Sequence, residues 1–151
     1  MLLKISLAII LLILTLSGCG RTENETLLLD LEGQKIQAEL AKTPQERFKG
    51  LSGREHLCEN CGMLFVFPQR QERSFVMRDM NFPLDVIWIR DQKIVNIDKD
   101  APPEGSNPKK EYRSQIPVDK VLELNAGFCD AHEIKIGDKI EIMGIYEQDH
   151  Y

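Results

Sequence analysis

Leu84-Asp85-Val86-Ile87-Trp88-Ile89 and Lys93-Ile94-Val95-Asn96-Ile97, separated by Arg90-Asp91-Gln92, form the stretch that decides the fold. Both runs are rich in β-branched and aromatic side chains and too short for a stable helix. A polar break of turn length joins them, so they read as a β-hairpin. The first run alternates: Leu84, Val86 and Trp88 share one face, and Asp85 shares the other with Ile87 and Ile89. A carboxylate beside two isoleucines needs a partner or a position at a rim.

Working outward, the pattern of short strands repeats. Leu27–Leu31 is an apolar run broken at Glu32-Gly33. Lys35–Leu40 follows, with Ile36, Ala38 and Leu40 on one face. Thr43-Pro44-Gln45-Glu46 is a helix start, with Thr as N-cap, Pro at the first turn and Glu closing a capping box. Gly50 ends that helix after about two turns. Met63–Phe67 is a buried strand ended by Pro68, Gln69–Arg73 is a polar loop, and Ser74–Met77 is a further strand. Asp98–Pro117 holds four of the chain's seven prolines and reads as a long surface loop. Val118–Leu124 is a strand, Asn125–Glu133 holds a short helix, and Lys139–Tyr146 is the closing strand. About eight short strands and one or two short helices predict a mainly β domain, a small barrel or a sandwich. No repeat of 20–50 residues occurs, which excludes a solenoid or propeller.

The N-terminus is of another kind. Met1–Lys4 carries one positive charge, and Ile5–Leu16 is almost purely apolar. That run is well short of the ~20 residues of a membrane-spanning helix and fits the core of a signal peptide. Leu16-Ser17-Gly18-Cys19 then resembles the bacterial lipobox. The resemblance implies removal of residues 1–18 and acylation of Cys19, with more than one acyl chain needed for a stable membrane anchor. Gly20 follows where an inner-membrane retention signal would place Asp, so in a Gram-negative host the periplasmic face of the outer membrane is expected. Residues 19–26 are the lipidated end and its polar tether, of which Gly20–Thr26 reaches at most ~25 Å. Residues 27–147 are one domain.

Composition limits the partners. The 151 residues are 42% hydrophobic and 28% charged, with a net charge of −5. That is a globular composition, and an acidic surface disfavours nucleic acid. Four cysteines are too few for a disulfide-built scaffold.

Five blocks in order resemble a known family. They are Glu39-Leu40-Ala41-x-Thr43-x-x-Glu46-Arg47-x-x-Gly50-Leu51, Gly62-Met63-Leu64-Phe65-Val66-Phe67, Phe75-x-Met77-Arg78 running into Pro83-Leu84-Asp85, Val121 to Gly127, and Ile134-x-x-Gly137-Asp138. Together they resemble the bacterial and archaeal domain-of-unknown-function family 192 across nearly all of Leu27–Met143. The resemblance implies a compact, partly open β-barrel, often exported or lipid-anchored, and implies no known activity. This chain departs from the family at Val76, where a tryptophan is common, at Asp79-Met80, where Asn-Thr is common, and at Glu133, where glycine is usual.

Several constellations could carry chemistry. Asp85 and Glu123 each interrupt an apolar strand, and Arg47, Arg54 and Arg78 are candidate counter-charges able to fork onto carboxylates. The bland interpretation is a set of structural ion pairs. The sharper one is a polar cluster of Arg54, Arg78, Asp85 and Glu123 at a barrel mouth, binding a small or glycan-like ligand. A third makes Asp85 and Glu123 the acid and base of an enzyme acting on envelope carbohydrate. A protein–protein accessory role would use the Asp98–Pro117 loop.

The histidines His56, His132 and His150 lie in no nucleophile motif, and no phosphate loop is present, so no catalytic residue or cofactor is assigned. Cys58-x-x-Cys61 with Cys129-x-x-His132 has Cys3His zinc spacing. In an exported domain a Cys58–Cys61 disulfide ranks first, ahead of inert thiols, zinc and redox catalysis.

Overall fold

The computed structural model describes residues 25–146. The expected signal peptide, Cys19 and most of the expected tether lie outside the described residues. Nine strands and two short helices follow one another: β1 Thr26–Leu31, β2 Gln34–Ala41, α1 Pro44–Lys49, β3 Cys61–Gln71, β4 Ser74–Phe75, β5 Leu84–Arg90, β6 Lys93–Ala101, β7 Tyr112–Arg113, β8 Val118–Asn125, α2 Phe128–Ala131 and β9 Ile140–Ile145.

Seven strands form one sheet in the order β6-β5-β8-β3-β2-β1-β9, and β4 and β7 form a separate two-stranded ribbon. Every pairing in the large sheet is antiparallel except β2 with β3, which α1 joins by a crossover. The edge strands β6 and β9 meet at one point. Lys93 bridges Lys139, and the amides of Ile94 and Ile140 donate to Asp138 and Gln92 at 2.9 Å. The sheet is therefore curled and mostly open, mainly β as expected, with no closed barrel.

Its two faces have separate cores. All seven strands contribute to the first, through residues such as Leu29, Ile36, Leu64, Ile87, Leu122 and Ile140. A cluster fed by every strand is the concave interior, and Phe128, Cys129 and Ile134 plug it. The second core, on the opposite face, includes Met63, Phe65, Met77, Val86, Trp88 and Val121.

Local signals explain the elements. Glu32 and Gly33 both have positive φ, 50° and 86°, the backbone that a two-residue hairpin between twisted strands requires. At α1, Thr43 accepts from the Glu46 amide while Glu46 accepts from the Thr43 amide, a complete capping box.

Three expectations need correction. Pro68 does not end β3, which runs on to Gln71. Pairing with β8 is interrupted between Val66 and Gln71, so the missing proline N–H falls where no ladder bond is needed. The strand after Arg73 is only Ser74–Phe75. The long loop is shorter than the prolines suggested, because β6 extends to Ala101 and β7 lies within it. That loop is also tied down: Glu104 and Gly105 exchange backbone hydrogen bonds with Met77, Asp79 and Met80.

Candidate functional site

The two carboxylates that interrupt apolar strands stand on opposite faces of the sheet. Asp85 alternates with Leu84 and Val86 of the second core and pairs across to Leu124, a residue of the first. Glu123 pairs across to Val86 and Met63, both of the second core. Directly opposed residues share a face. The acid–base pair of Asp85 and Glu123 that the enzyme alternative requires is therefore not formed, and the sheet itself separates the two groups.

Asp85 has a structural environment. It is fully buried, and its two oxygens accept from the amides of Asp100 and Cys129, each at 2.9 Å. The second bond serves the first turn of α2, whose N-cap Gly127 has no side chain to offer. Its partners are backbone amides, not arginine. Arg54 is likewise engaged elsewhere, in a two-pronged pair with Glu39 at 2.5 and 2.6 Å. The predicted cluster of four thus separates, and only Arg78 and Glu123 share a site.

That site is a cleft of about 410 Å³ between α1, the turn after it, and the second-core face of β3 and β8. Phe65, Phe67 and Phe75 line it, with Phe75 edge-on to both others at centroid separations of 4.8 and 6.4 Å. Phe65 and Phe67 project to the same side because they alternate along β3. Met77 and Met80 add apolar surface, and Arg47, Phe48 and Arg78 form the rim. Arg78 holds its guanidinium 4.1 Å from the Phe48 ring centre and donates to the Phe48 carbonyl at 2.9 Å. Arg47 donates to the carbonyls of Lys42 and Val66 and lies 5.1 Å from the centre of Phe67.

Glu123 faces this cleft and is 6% exposed. Among the described residues it has no hydrogen-bond or ion-pair partner. Burial pushes its carboxyl up to about 8, so at neutral pH it is mostly the acid form, with an O–H to donate. Glu123 keeps some exposure and lines the cleft, so a partner can reach the carboxyl from that side.

Two of the positions that depart from the resembled family's pattern, Val76 and Met80, line this cleft. Val76, where the resemblance leads one to expect a tryptophan, is 37% exposed, so the aromatic wall is open at that point. Trp88 does not replace it, being fully buried with its indole N–H donating to Asp98 at 2.7 Å. Met80 lines the cleft, and Asp79 has φ of 53°, a backbone that Asn and Asp tolerate better than most residues.

Cys58 and Cys61 are joined in a disulfide, their Cα atoms 5.0 Å apart, and Asn125 donates to the Cys58 carbonyl at 2.8 Å. Cys129 is a free thiol buried in the first core, its ionisation disfavoured by burial and then by Asp85. The ring of His132 rests on Phe128 at 4.4 Å. The disulfide ranked first in the sequence is thus formed, and the zinc alternative on the Cys3His spacing is not assembled, since two of its thiols are consumed by the bridge. Among the described residues no other cluster of His, Cys, Asp or Glu is placed to hold a metal.

Comparison with known proteins fits this architecture. A structure of a protein of unknown function from Novosphingobium aromaticivorans DSM 12444 is 30% identical, with a TM-score of 0.74 over 81% of this chain and 89% of that one. A second, from Sinorhizobium meliloti 1021 and provisionally described as a transcription regulator, is 31% identical, with a TM-score of 0.71 over 78% of this chain and 92% of that one. No curated protein matches. The family DUF192, described as Uncharacterized ACR, matches residues 27–142, and the chain belongs to it.

Proposed function

We propose that this chain is a lipid-anchored envelope protein whose domain binds a small or glycan-like ligand in the cleft under α1. The observation that carries the binding reading is Glu123, a nearly buried carboxyl that faces an aromatic cleft and has no partner among the described residues. Ligand sites combine an apolar lining with a few convergent polar groups, and Phe65, Phe67 and Phe75 beside Glu123, Arg47 and Arg78 match that pattern. Sugar rings and other flat bodies pack well on exposed aromatic faces, and Phe48 at the rim is 72% exposed. A binding role without glycosidase-type chemistry fits best, because among the described residues Glu123 is the one carboxylate that lines the cleft. Nucleic acid is not proposed as a partner, given the net charge of −5.

Anchoring rests on Leu16-Ser17-Gly18-Cys19 and on the apolar run before it. The Cys58–Cys61 disulfide is consistent with an oxidising compartment. A Gram-negative host would place the domain at the periplasmic face of the outer membrane. Mass spectrometry of the mature protein should find an acylated Cys19 at the N-terminus, and Cys19→Ala should abolish membrane association. A soluble, unmodified wild-type product would end the anchoring reading.

Binding is tested by titrating envelope glycan fragments into the wild type and into Glu123→Leu. Saturable binding that the leucine variant loses, while keeping its fold by circular dichroism, supports the cleft. Equal binding by both variants moves the site elsewhere.

A further inference from the structure

The cleft under α1 has a charge unlike that of the rest of the molecule. Its charged lining consists of Arg47, Lys49, Arg78 and Glu123. Three cations and one carboxyl thus face each other in a protein whose net charge is −5. Among the described residues none of the three cations forms an ion pair. Arg47 and Arg78 donate to carbonyls and lie against Phe67 and Phe48, and Lys49 donates to the Ser52 carbonyl at 2.7 Å. The acids that pair with cations elsewhere, such as Asp30, Glu39 and Asp91, serve Lys35, Arg54 and Arg70.

A fourth cation, outside the cleft lining, approaches one of its rings. Arg73 lies 4.1 Å from the centre of Phe67, the ring that Arg47 also approaches. Its Nε is buried with no hydrogen-bond partner, and its charge is disfavoured by burial and then by Arg47. Two guanidiniums share one aromatic ring, and among the described residues neither has an acid as partner. Like charges held that close raise the free energy of the empty state, and an anion on the cleft side lowers it.

We infer that the cleft takes a small organic anion, a ring-bodied carboxylate whose charged end lies at Arg47 and Arg78 and whose neutral oxygen accepts from Glu123. This names the ligand class for the binding reading above and rests on it. Arginine suits the charged end, because its planar fork matches a carboxylate while its face stays stacked on phenylalanine. Phe65, Phe75 and Met77 suit the ring. Glu123 is set among apolar neighbours, where its O–H donates to an uncharged acceptor, while the charged end is drawn to the two arginines. That polarity orients the ligand with its anion outward. A cleft of about 410 Å³ sits at the small end of ligand sites and fits one ring better than a long oligosaccharide.

The test uses matched pairs of ring carboxylates and their primary amides, for example glucuronate with glucuronamide and 4-hydroxybenzoate with 4-hydroxybenzamide. They are titrated into the exported domain at pH 6.5 and low salt, and amide signals of Phe65, Phe75 and Glu123 are followed by NMR. The carboxylate of at least one pair should bind tenfold or more tighter than its amide. Arg78→Lys should cut that preference to less than threefold with the fold unchanged. Raising the pH from 6.5 to 9 should weaken carboxylate binding by tenfold or more in the wild type, as Glu123 ionises, and hardly at all in Glu123→Gln. Amides that bind as well as their acids overturn the anion inference and leave ligand binding standing. No response at the cleft to either member of any pair, or to the glycan fragments, overturns both.

Discussion

Replacing Asp85 tests whether a buried carboxylate in this sheet is held by charge or by backbone. Asp85→Ala removes the acceptor of two amides, Asp100 N–H and Cys129 N–H, both 2.9 Å from carboxylate oxygens in a fully buried site. Each stranded amide costs ~1–3 kcal/mol, and hydrogen bonds to a charged acceptor lie at the upper end of the scale. Relief of the carboxylate's own desolvation offsets part of this, leaving a net loss of about 3 kcal/mol, a large share of a typical domain's stability. Asp85→Asn keeps one acceptor oxygen but turns an amide NH2 toward the other N–H, so about 2 kcal/mol is expected. Urea unfolding gives both numbers. Hydrogen exchange then gives the location, since the Asp100 and Cys129 amides should lose protection before the rest of β6 and α2. A double-mutant cycle with Arg78→Ala should be additive to within about 0.5 kcal/mol, because the two side chains share no contact. A loss below 1 kcal/mol for Asp85→Ala would refute the capping account, as would a coupling above 1 kcal/mol to Arg78.

Three further outcomes follow from named geometry. Glu123 binds its proton more tightly folded than unfolded, so its ionisation works against folding: stability should be highest below about pH 4.5 as far as this group is concerned, fall as pH rises toward 8, and level off above. The full displacement is on the order of 5 kcal/mol, and Glu123→Gln should flatten the profile in urea melts between pH 5 and 9; an unchanged slope would show that another group is responsible. Gly62→Ala should cost about 1–2 kcal/mol, because an added Cβ would come within 2.7 Å of the Glu123 carbonyl and of Leu124 Cδ2, a crowding that the neighbouring strand backbone resists. Glu133→Gly should raise stability by about 0.5–1 kcal/mol, since Glu133 sits at φ 55°, where an L side chain costs ~1–2 kcal/mol and glycine gives back part of that through the unfolded chain. A thermal melt that moves down with Glu133→Gly would contradict this.

What could be read from the chain without coordinates follows a physical line between local and register-dependent features. The capping box at Thr43-Pro44-Gln45-Glu46, the break at Glu32-Gly33 and the hairpin around Asp91-Gln92 are legible because each is settled by residues within four positions of one another. The alternation of Asp85 with its neighbours was legible for the same reason, and so was that of Glu123. Their relation was not. It depends on Val86 standing opposite Glu123, a register fixed by packing between β5 and β8, and a slip of one residue would have put both carboxylates on one face. The partners of Asp85 lie 15 and 44 positions away and are backbone amides, which carry no side-chain signature.

The cleft shows the same division. Phe65 and Phe67 at alternate positions were an available signal for an aromatic face. That Arg47 and Arg73 converge on one of those rings required the placement of α1 over the sheet. Structural and ligand-facing carboxylates look alike in sequence and separate only by their partners. Asp85 is deeper yet fully satisfied, which marks a brace. Glu123 is nearly as deep, unsatisfied and open to a cleft, a combination that stability alone does not favour. An evolving core would gain by replacing such a glutamate with leucine, so the carboxyl is best explained by a partner that arrives from outside the chain.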